Sequence, residues 1–343
     1  MTVSTFTDWE TLREIVVGSP LGANMPAVDI SGRHFSGRSG DEPPELIPTG
    51  VLQRVVEETA EDLEGLCVAL EAEDVVVRRP AEVLHTAPIG VGGWWTTGTH
   101  ALMPRDSLLV VGDLLVEAPM PVRSRYAEIA ALRPLIREYA VTGARWVAAP
   151  RPFLPDETYR YTDNGEPVLA ELEPLFDAAN VLRCGRDVFF NISNTGNHLG
   201  SAWLAHTLGD GYRVHEMSLC DDHVGTTVHL LRPGLLLANA SRLTPDTMPE
   251  ELKGWDVLWV EDIADDGYAF GWPRASRWIG MNILSLDANT VIVPEGQRGL
   301  VELLERKGLC VIPVRFRHGR TWGGGFHCCT VDVRRDGKLE SYL

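Results

Sequence analysis

Paired cysteines are missing from this sequence. Its six, at 67, 184, 220, 310, 328 and 329, form no CxxC pair and no repeated metal-ligand spacing. Six in 343 residues is no disulfide framework of the small secreted kind. Base is also scarce: 31 Lys and Arg stand against 48 Asp and Glu, a net charge of -17. That excludes the clustered cations a nucleic-acid binder needs; it keeps the chain soluble and favours the approach of a cationic substrate. No apolar run reaches membrane-spanning length. The first fifteen residues have neither the basic start nor the apolar run of a signal peptide. Gly-Val-Gly-Gly at 90–93 lacks the dinucleotide fingerprint and reads as a loop. His215, His223 and His229 lack the spacing of a helical zinc pair. These absences leave no cofactor or metal to expect, no nucleic-acid or membrane partner, and a reducing, cytoplasmic setting as the default.

What is present is an ordinary globular composition, 44% hydrophobic, with enough apolar mass for a large core. The stretch 41–49, dense in Pro and acid, reads as a loop. After it, Leu52, Val55, Val56, Leu63, Leu66 and Leu70 recur at helical spacing. Val75 to Val77 then reads as a short buried strand. From there a pattern repeats: two short apolar runs around a turn signal, a helix, another apolar run. The turn signals are Gly112-Asp113, Gly185-Arg186, Pro233-Gly234, Asp287-Ala288-Asn289 and Asp336-Gly337, so five β-hairpins are predicted. Helices are expected at 124–139, 200–208 and 297–307, leading to strands at 145–148, 212–215 and 309–313. Repeats of sheet units arranged radially make a propeller-like ring. A plain mixed α/β sheet would give much the same pattern.

Reactive side chains stand before several of these turns. Asp106 is six residues before Gly112, Asp177 eight before Gly185, His223 eleven before Gly234, and Cys328 nine before Gly337. In equivalent modules these positions occupy the same end of the first hairpin strand, and in a ring they converge. A free thiol is only a few per cent thiolate at neutral pH and needs a cationic neighbour. Histidine carries protons near neutral pH, and a carboxylate on its other nitrogen sets the tautomer. Carboxylates also grip a planar guanidinium with parallel hydrogen bonds. Taken singly, each residue has a plainer reading: a buried apolar cysteine, a satisfied histidine, turn carboxylates in structural ion pairs. Their shared position relative to the turns lifts them above that. So does the run Gly-Gly-Gly-Phe-His-Cys-Cys at 323–329, since three glycines are costly in chain entropy unless the backbone must approach something closely.

That run, followed by Thr-Val-Asp-Val-Arg-Arg at 330–335, resembles the C-terminal signature of the glycine and inosamine amidinotransferases. The resemblance covers nearly the whole chain, through the segments 9–18, 103–106, 117–120, 123–125, 176–180, 232–234 and 276–282. It leans to the inosamine branch of aminocyclitol antibiotic pathways, with His100 where the glycine enzymes have Tyr. It implies a single domain over 1–343, an α/β fold built as a five-fold pseudosymmetric propeller of ββαβ modules. It implies Cys328 as nucleophile, His223 as general acid and base, Asp177 as the partner of His223, and Asp106 as a grip on the donor guanidinium. Arg242 and Ser276 match positions that hold the donor's amino-acid end. His100, Asp222, Gly225 and Asn282 complete the candidate substrate-binding set. The expected reaction is transfer of an amidino group from L-arginine to an amine in secondary-metabolite biosynthesis, without cofactor. The partners are small molecules, and the resemblance is compatible with a homodimer.

One position departs from the family pattern. Two residues after the matched histidine, where a second guanidinium-gripping Asp is usual, stands Gly225. Three readings follow: Asp221 or Asp222 supplies the carboxylate; the donor differs or sits differently; or the same site performs another cysteine-mediated group transfer or a deiminase-like hydrolysis of guanidines. A binding module would form no covalent adduct on Cys328.

Overall fold

In the computed structural model, residues 3–36, 49–221, 223–271 and 273–343 are described. The acidic, proline-rich stretch at 41–48 and Asp222 lie outside the described residues. Five three-stranded sheets share one plan: an antiparallel pair, then a third strand parallel to the second. Four of the five predicted hairpins are present. Leu108–Val111 pairs with Leu114–Glu117, Val181–Cys184 with Asp187–Asn191, Val228–Arg232 with Leu235–Asn239, and Leu284–Ser285 with Thr290–Pro294. Gly112, Gly185 and Gly234 turn three of them at φ of +59°, +69° and +76°, a region that costs glycine nothing. The strands read as continuous apolar runs because both faces are covered. All four residues of Leu108–Val111 and all four of Leu114–Glu117 are buried.

The fifth hairpin is a correction. Nothing after Gly337 returns as a strand; Thr330–Asp336 pairs instead with Thr11–Val17, and the latter takes Val76–Arg78 as its parallel neighbour. The module is therefore built from both chain ends. Val76 is exposed, so that third strand is less buried than its composition suggests.

Helices cross between second and third strands, as the periodicity requires: Thr49–Ala72, Arg133–Val141, His198–Leu208 and Arg298–Arg306. The span 124–139 is not one helix. Pro134 has no N–H to give and belongs in a first turn, so the α-helix begins at Arg133, after the separate 3₁₀ turns Arg123–Arg125 and Glu128–Ala131. One sheet lacks its α-helix. Between Leu235–Asn239 and Asp256–Val260 the chain carries Pro245, Pro249 and Gly254 and makes only the 3₁₀ turn Glu250–Leu252. The residues 90–93 are not a plain loop: Gly92 and Gly93, both at positive φ, join Pro88–Val91 to Trp94–Thr97 as a hairpin.

Apolar clusters join each sheet to the next. Val16, Val331 and Val333 pack with Val110 and Leu115; Leu109 and Val116 with Val188 and Phe190; Leu182 and Phe189 with Leu230 and Leu236; Leu237 and Val260 with Ile283 and Val293; Leu284 and Ile292 with Ile15 and Val17. Among the described residues no helix is long and apolar enough to cross a membrane. All six cysteines are free.

Candidate active site

A short helical turn precedes the first strand of four of the five three-stranded sheets and a hydrogen-bonded turn that of the fifth, and the singled-out residues sit on these turns. Asp106 lies in Pro104–Ser107, Asp177 opens Ala178–Asn180, His223 opens Val224–Thr226, and Ser276 opens Arg277–Met281. Cys328 lies in the turn that enters Thr330–Asp336. Arg105 ties two of these turns together. Its Nε donates to the carbonyls of His327 at 2.7 Å and Thr330 at 3.0 Å, and its Nη2 meets Asp332. Asp332 also takes Arg183 at 2.5 Å and Arg335 at 2.7 Å, so the strand leaving Cys328 is held by three guanidinium groups.

Four of the predicted residues come together. His223 Nε2 lies 2.6 Å from Asp177 Oδ2, and its Nδ1 lies 3.8 Å from Asp106 Oδ1. Ligand-type atoms of Asp106, His223 and Cys328 all fall within 4.8 Å of one another. All four side chains are buried. Burial by itself would lower the His223 pKa, but Asp106, Asp177 and the contact with Cys328 outweigh it and raise it well above the ordinary value. His223 is thus an imidazolium flanked by acid, and it offers a neighbouring sulfur a counter-charge. Burial raises the Asp177 carboxyl against the pull of His223.

Asp106 and His223 line a cavity together with His100, Met103, Arg125 and Arg274. Cys328 is 3% exposed and not on that wall itself; its sulfur lies behind Asp106 and His223, within 4.8 Å of both. Asp106 Oδ1 and Asp177 Oδ1 are buried without a hydrogen-bond partner. An orphaned carboxylate oxygen on a cavity wall is a ready acceptor for a donor-rich ligand. Asp106, His223 and Cys328 also have metal-ligand chemistry. However, Arg125 already holds Asp106 Oδ2 at 2.7 Å and Asp177 holds the other imidazole nitrogen, and a dication beside that guanidinium is electrostatically unfavourable.

The three glycines have a steric reason. Gly323 sits at φ +86°, and a Cβ on it would come within 3.2 Å of Arg274 Cβ. On Gly324 it would meet Met103 Sδ at 2.3 Å and Cys328 Cβ at 3.0 Å; on Gly325, Asn282 Cβ at 2.7 Å. Asn282 is brought to the site as an anchor: its Oδ1 accepts the N–H of Cys328 at 2.9 Å and of Gly325 at 3.2 Å. Gly225 adjoins it, and a Cβ there would lie 2.6 Å from Asn282 Nδ2. The space of the usual Asp is therefore bordered by an amide that holds the Cys328 loop.

His100 is on the wall, edge-on to Trp322 at 5.5 Å, and burial, with Arg125 and Arg274 nearby, lowers its pKa well below the ordinary value. The N–H of Leu102 donates to His100 Nδ1 at 3.4 Å. Arg242 and Ser276 are not on this wall. Arg242 donates to Thr226 Oγ1 at 2.8 Å and Thr227 Oγ1 at 3.0 Å and lines an adjoining groove with Cys220 and Asp221, which shares Phe35 and Ser36 with the cavity. Ser276 is exposed. Asp221 is exposed and lines that groove rather than the cavity. Arg125 went unnoticed in the sequence, although its motif was noted. It donates to Glu128 through Nε and Nη2, lies 4.0 Å from Asp177, and its own pKa stays well above the ordinary value despite burial. Its signal was an arginine in a chain segment rich in buried acid partners, which no local spacing reveals.

No protein-family model matches the chain. It is similar to an inosamine-phosphate amidinotransferase of Streptomyces glaucescens, 41% identical over 99% of both chains. It is similar to an L-arginine:L-lysine amidinotransferase of Pseudomonas savastanoi pv. phaseolicola, 37% identical over 99% of this chain and 96% of the relative. Among solved structures, an inosamine-phosphate amidinotransferase from Streptomyces griseus superposes with a TM-score of 0.93 at 40% identity, covering 99% of both chains.

Proposed function

The chain belongs to the amidinotransferase family of transferases, and from that premise we propose that it moves an amidino group from L-arginine to the amine of a small biosynthetic acceptor through Cys328. The observation that carries the assignment of residues is the imidazole of His223, held by Asp177 at 2.6 Å and within 4.8 Å of the Cys328 sulfur, beside an Asp106 oxygen with no hydrogen-bond partner among the described residues. The donor guanidinium lies against Asp106 Oδ1. The Cys328 thiolate attacks its central carbon. The bond from that carbon to the side-chain nitrogen breaks as His223 gives that nitrogen a proton, and ornithine leaves. The amidino group stays on sulfur. The acceptor amine attacks the same carbon, the carbon–sulfur bond breaks, and His223 takes the amine's proton, which restores thiolate and imidazolium. This is two-step covalent catalysis with one proton carrier used in both directions.

Arg242 is assigned to the donor carboxylate from the groove beside the cavity. The acceptor is assigned to the class carried by the relatives named inosamine-phosphate amidinotransferase. The fold is read as a five-fold pseudosymmetric propeller in one domain over 1–343; the succession of apolar clusters from sheet to sheet, and the pairing of both chain ends, support it. Intact-protein mass spectrometry after incubation with arginine tests the reaction. The expected result is a single amidino adduct that is absent from Cys328→Ala, with ornithine released and no citrulline. Citrulline formed without an acceptor would mean that water takes the group, and the transfer reading would fall.

A further inference from the structure

Two arginines line the catalytic cavity, and they differ in company. Arg125 meets Asp106, Glu128 and Asp177. Arg274 has no carboxylate partner among the described residues; its guanidinium contact is Nη2 to Met25 Sδ at 2.9 Å. A half-buried guanidinium with no acid beside it among the described residues is unfavourable, and burial together with Arg125 pushes the Arg274 pKa down. The position is nonetheless rigidly made. The Arg274 N–H donates to the Arg320 carbonyl at 2.8 Å, and its Cβ packs on Gly323, in the loop that leads to Cys328. A guanidinium on a cavity wall that meets no acid among the described residues offers its N–H groups to an anion in that cavity.

We infer that Arg274 determines acceptor specificity by binding the phosphate group of the acceptor. This rests on the transfer reading above. The donor's charges have other addresses in that reading: the guanidinium at Asp106, the carboxylate at Arg242 in the adjoining groove. Arg274 lines the same cavity as Asp106 and has no such assignment. On the same wall stand Ser124 and an uncharged His100, which can hydrogen-bond a phosphate, while the wall's acids Asp29 and Asp106 are paired with Arg123 and Arg125. The paired N–H groups of a guanidinium match two oxygens of a phosphate monoester.

The test separates the two half-reactions in wild type, Arg274→Gln and Arg274→Lys. Loading of Cys328 by arginine is followed by intact mass. Discharge of the loaded protein is then measured with an inosamine phosphate, with the same inosamine lacking phosphate, and with lysine. Arg274→Gln is expected to load at the wild-type rate. Its KM for the phosphorylated acceptor should rise about ten- to a hundredfold with kcat little changed, the range set by losing one charge-assisted hydrogen-bonded partner. Its KM for the unphosphorylated inosamine should not move, and Arg274→Lys should fall between. Loss of loading in Arg274→Gln would place the residue with the donor and overturn the inference. So would equal loss for both inosamines, or a wild-type preference for lysine that Arg274→Gln abolishes. Calorimetric titration of inorganic phosphate into the unloaded proteins gives a readout independent of turnover. At least tenfold weaker binding to Arg274→Gln is expected, and equal binding overturns the inference. If wild type never loads, the transfer reading fails, while the phosphate titration still decides Arg274.

Discussion

The side-chain oxygen of Asn282 accepts the backbone N–H of Cys328 at 2.9 Å, and so a residue forty-six positions away in sequence holds the sulfur-bearing turn. The same oxygen takes Gly325 N–H, and the backbone carbonyl of Asn282 takes His327 N–H at 3.3 Å. Replacing Asn282 by Ala leaves two buried donors unmet. Each unmet group costs about 1–3 kcal/mol, so urea denaturation should show a loss of that order. Activity should fall more than stability, because a shifted thiolate misses its near-attack geometry. Adduct formation with arginine, followed in a quenched time course, reads the second effect.

Gly225 and Asn282 should behave as one unit. A Cβ at 225 would come within 2.6 Å of the Asn282 amide, so Gly225→Asp must move that amide before its carboxylate can serve the donor. The expected result is lower kcat, by about tenfold, and lower stability. In the double variant with Asn282→Ala the second change should cost much less than it does alone, since the amide is already gone. Simple additivity in that cycle would mean that the two side chains do not compete for the space.

The pH profile follows from the charges around His223. Asp106, Asp177 and Cys328 together hold its proton to a pH above the ordinary histidine range. Loading needs that proton, so the loading rate should fall on the alkaline side only once the pH passes the raised value. Asp177→Asn removes one stabilising carboxylate, which lowers the pKa and moves the alkaline limb towards lower pH by about one unit or more. The maximal rate should also fall, since the imidazole loses its orienting partner. Stopped-flow loading at a series of pH values measures both.

Acid should destabilise the fold through two other histidines. Burial first, then neighbouring cations, hold His229 at about 3 and His327 at about 4. In the unfolded chain both titrate near about 6.5. Their folded values are depressed, so the stability they contribute is present above the unfolded value and is lost as pH falls below it. At pH 5 each should have cost about 2 kcal/mol. His223 has the opposite sign, being raised, and does not add to this slope. His229→Gln keeps a donor for the Gly225 carbonyl, which His229 Nε2 contacts at 2.6 Å, and removes one titration. Denaturation midpoints at pH 8 and pH 5 should therefore lie closer together in the variant than in wild type.

Much of this architecture was legible from local pattern. The helix Thr49–Ala72 was visible because Val55, Leu63, Leu66 and Leu70 face one core, and four hairpins because glycine or turn residues split apolar runs. The fifth pairing was misread because its partner strand stands at the other end of the chain, and a turn signal at Asp336-Gly337 says nothing about a strand at Thr11–Val17. Asp106, Asp177, His223 and Cys328 were legible as a set through their common place before first strands. Arg242 and Ser276 were carried by resemblance and lie off the cavity wall.

Residue order settled the modules: which stretches are strands or helices, where they turn, and which turns carry a thiol, an imidazole or a carboxylate. Those outcomes depend on neighbours a few positions apart. Tertiary packing alone decided what surrounds each reactive group. The three acids around Arg125, the amide beneath Cys328, the crowding at Gly225 and the absence of an acid beside Arg274 among the described residues arise between segments far apart in the chain. Their distances depend on how the sheets stack, and charges, hydrogen bonds and desolvation act through distance rather than through position along the chain.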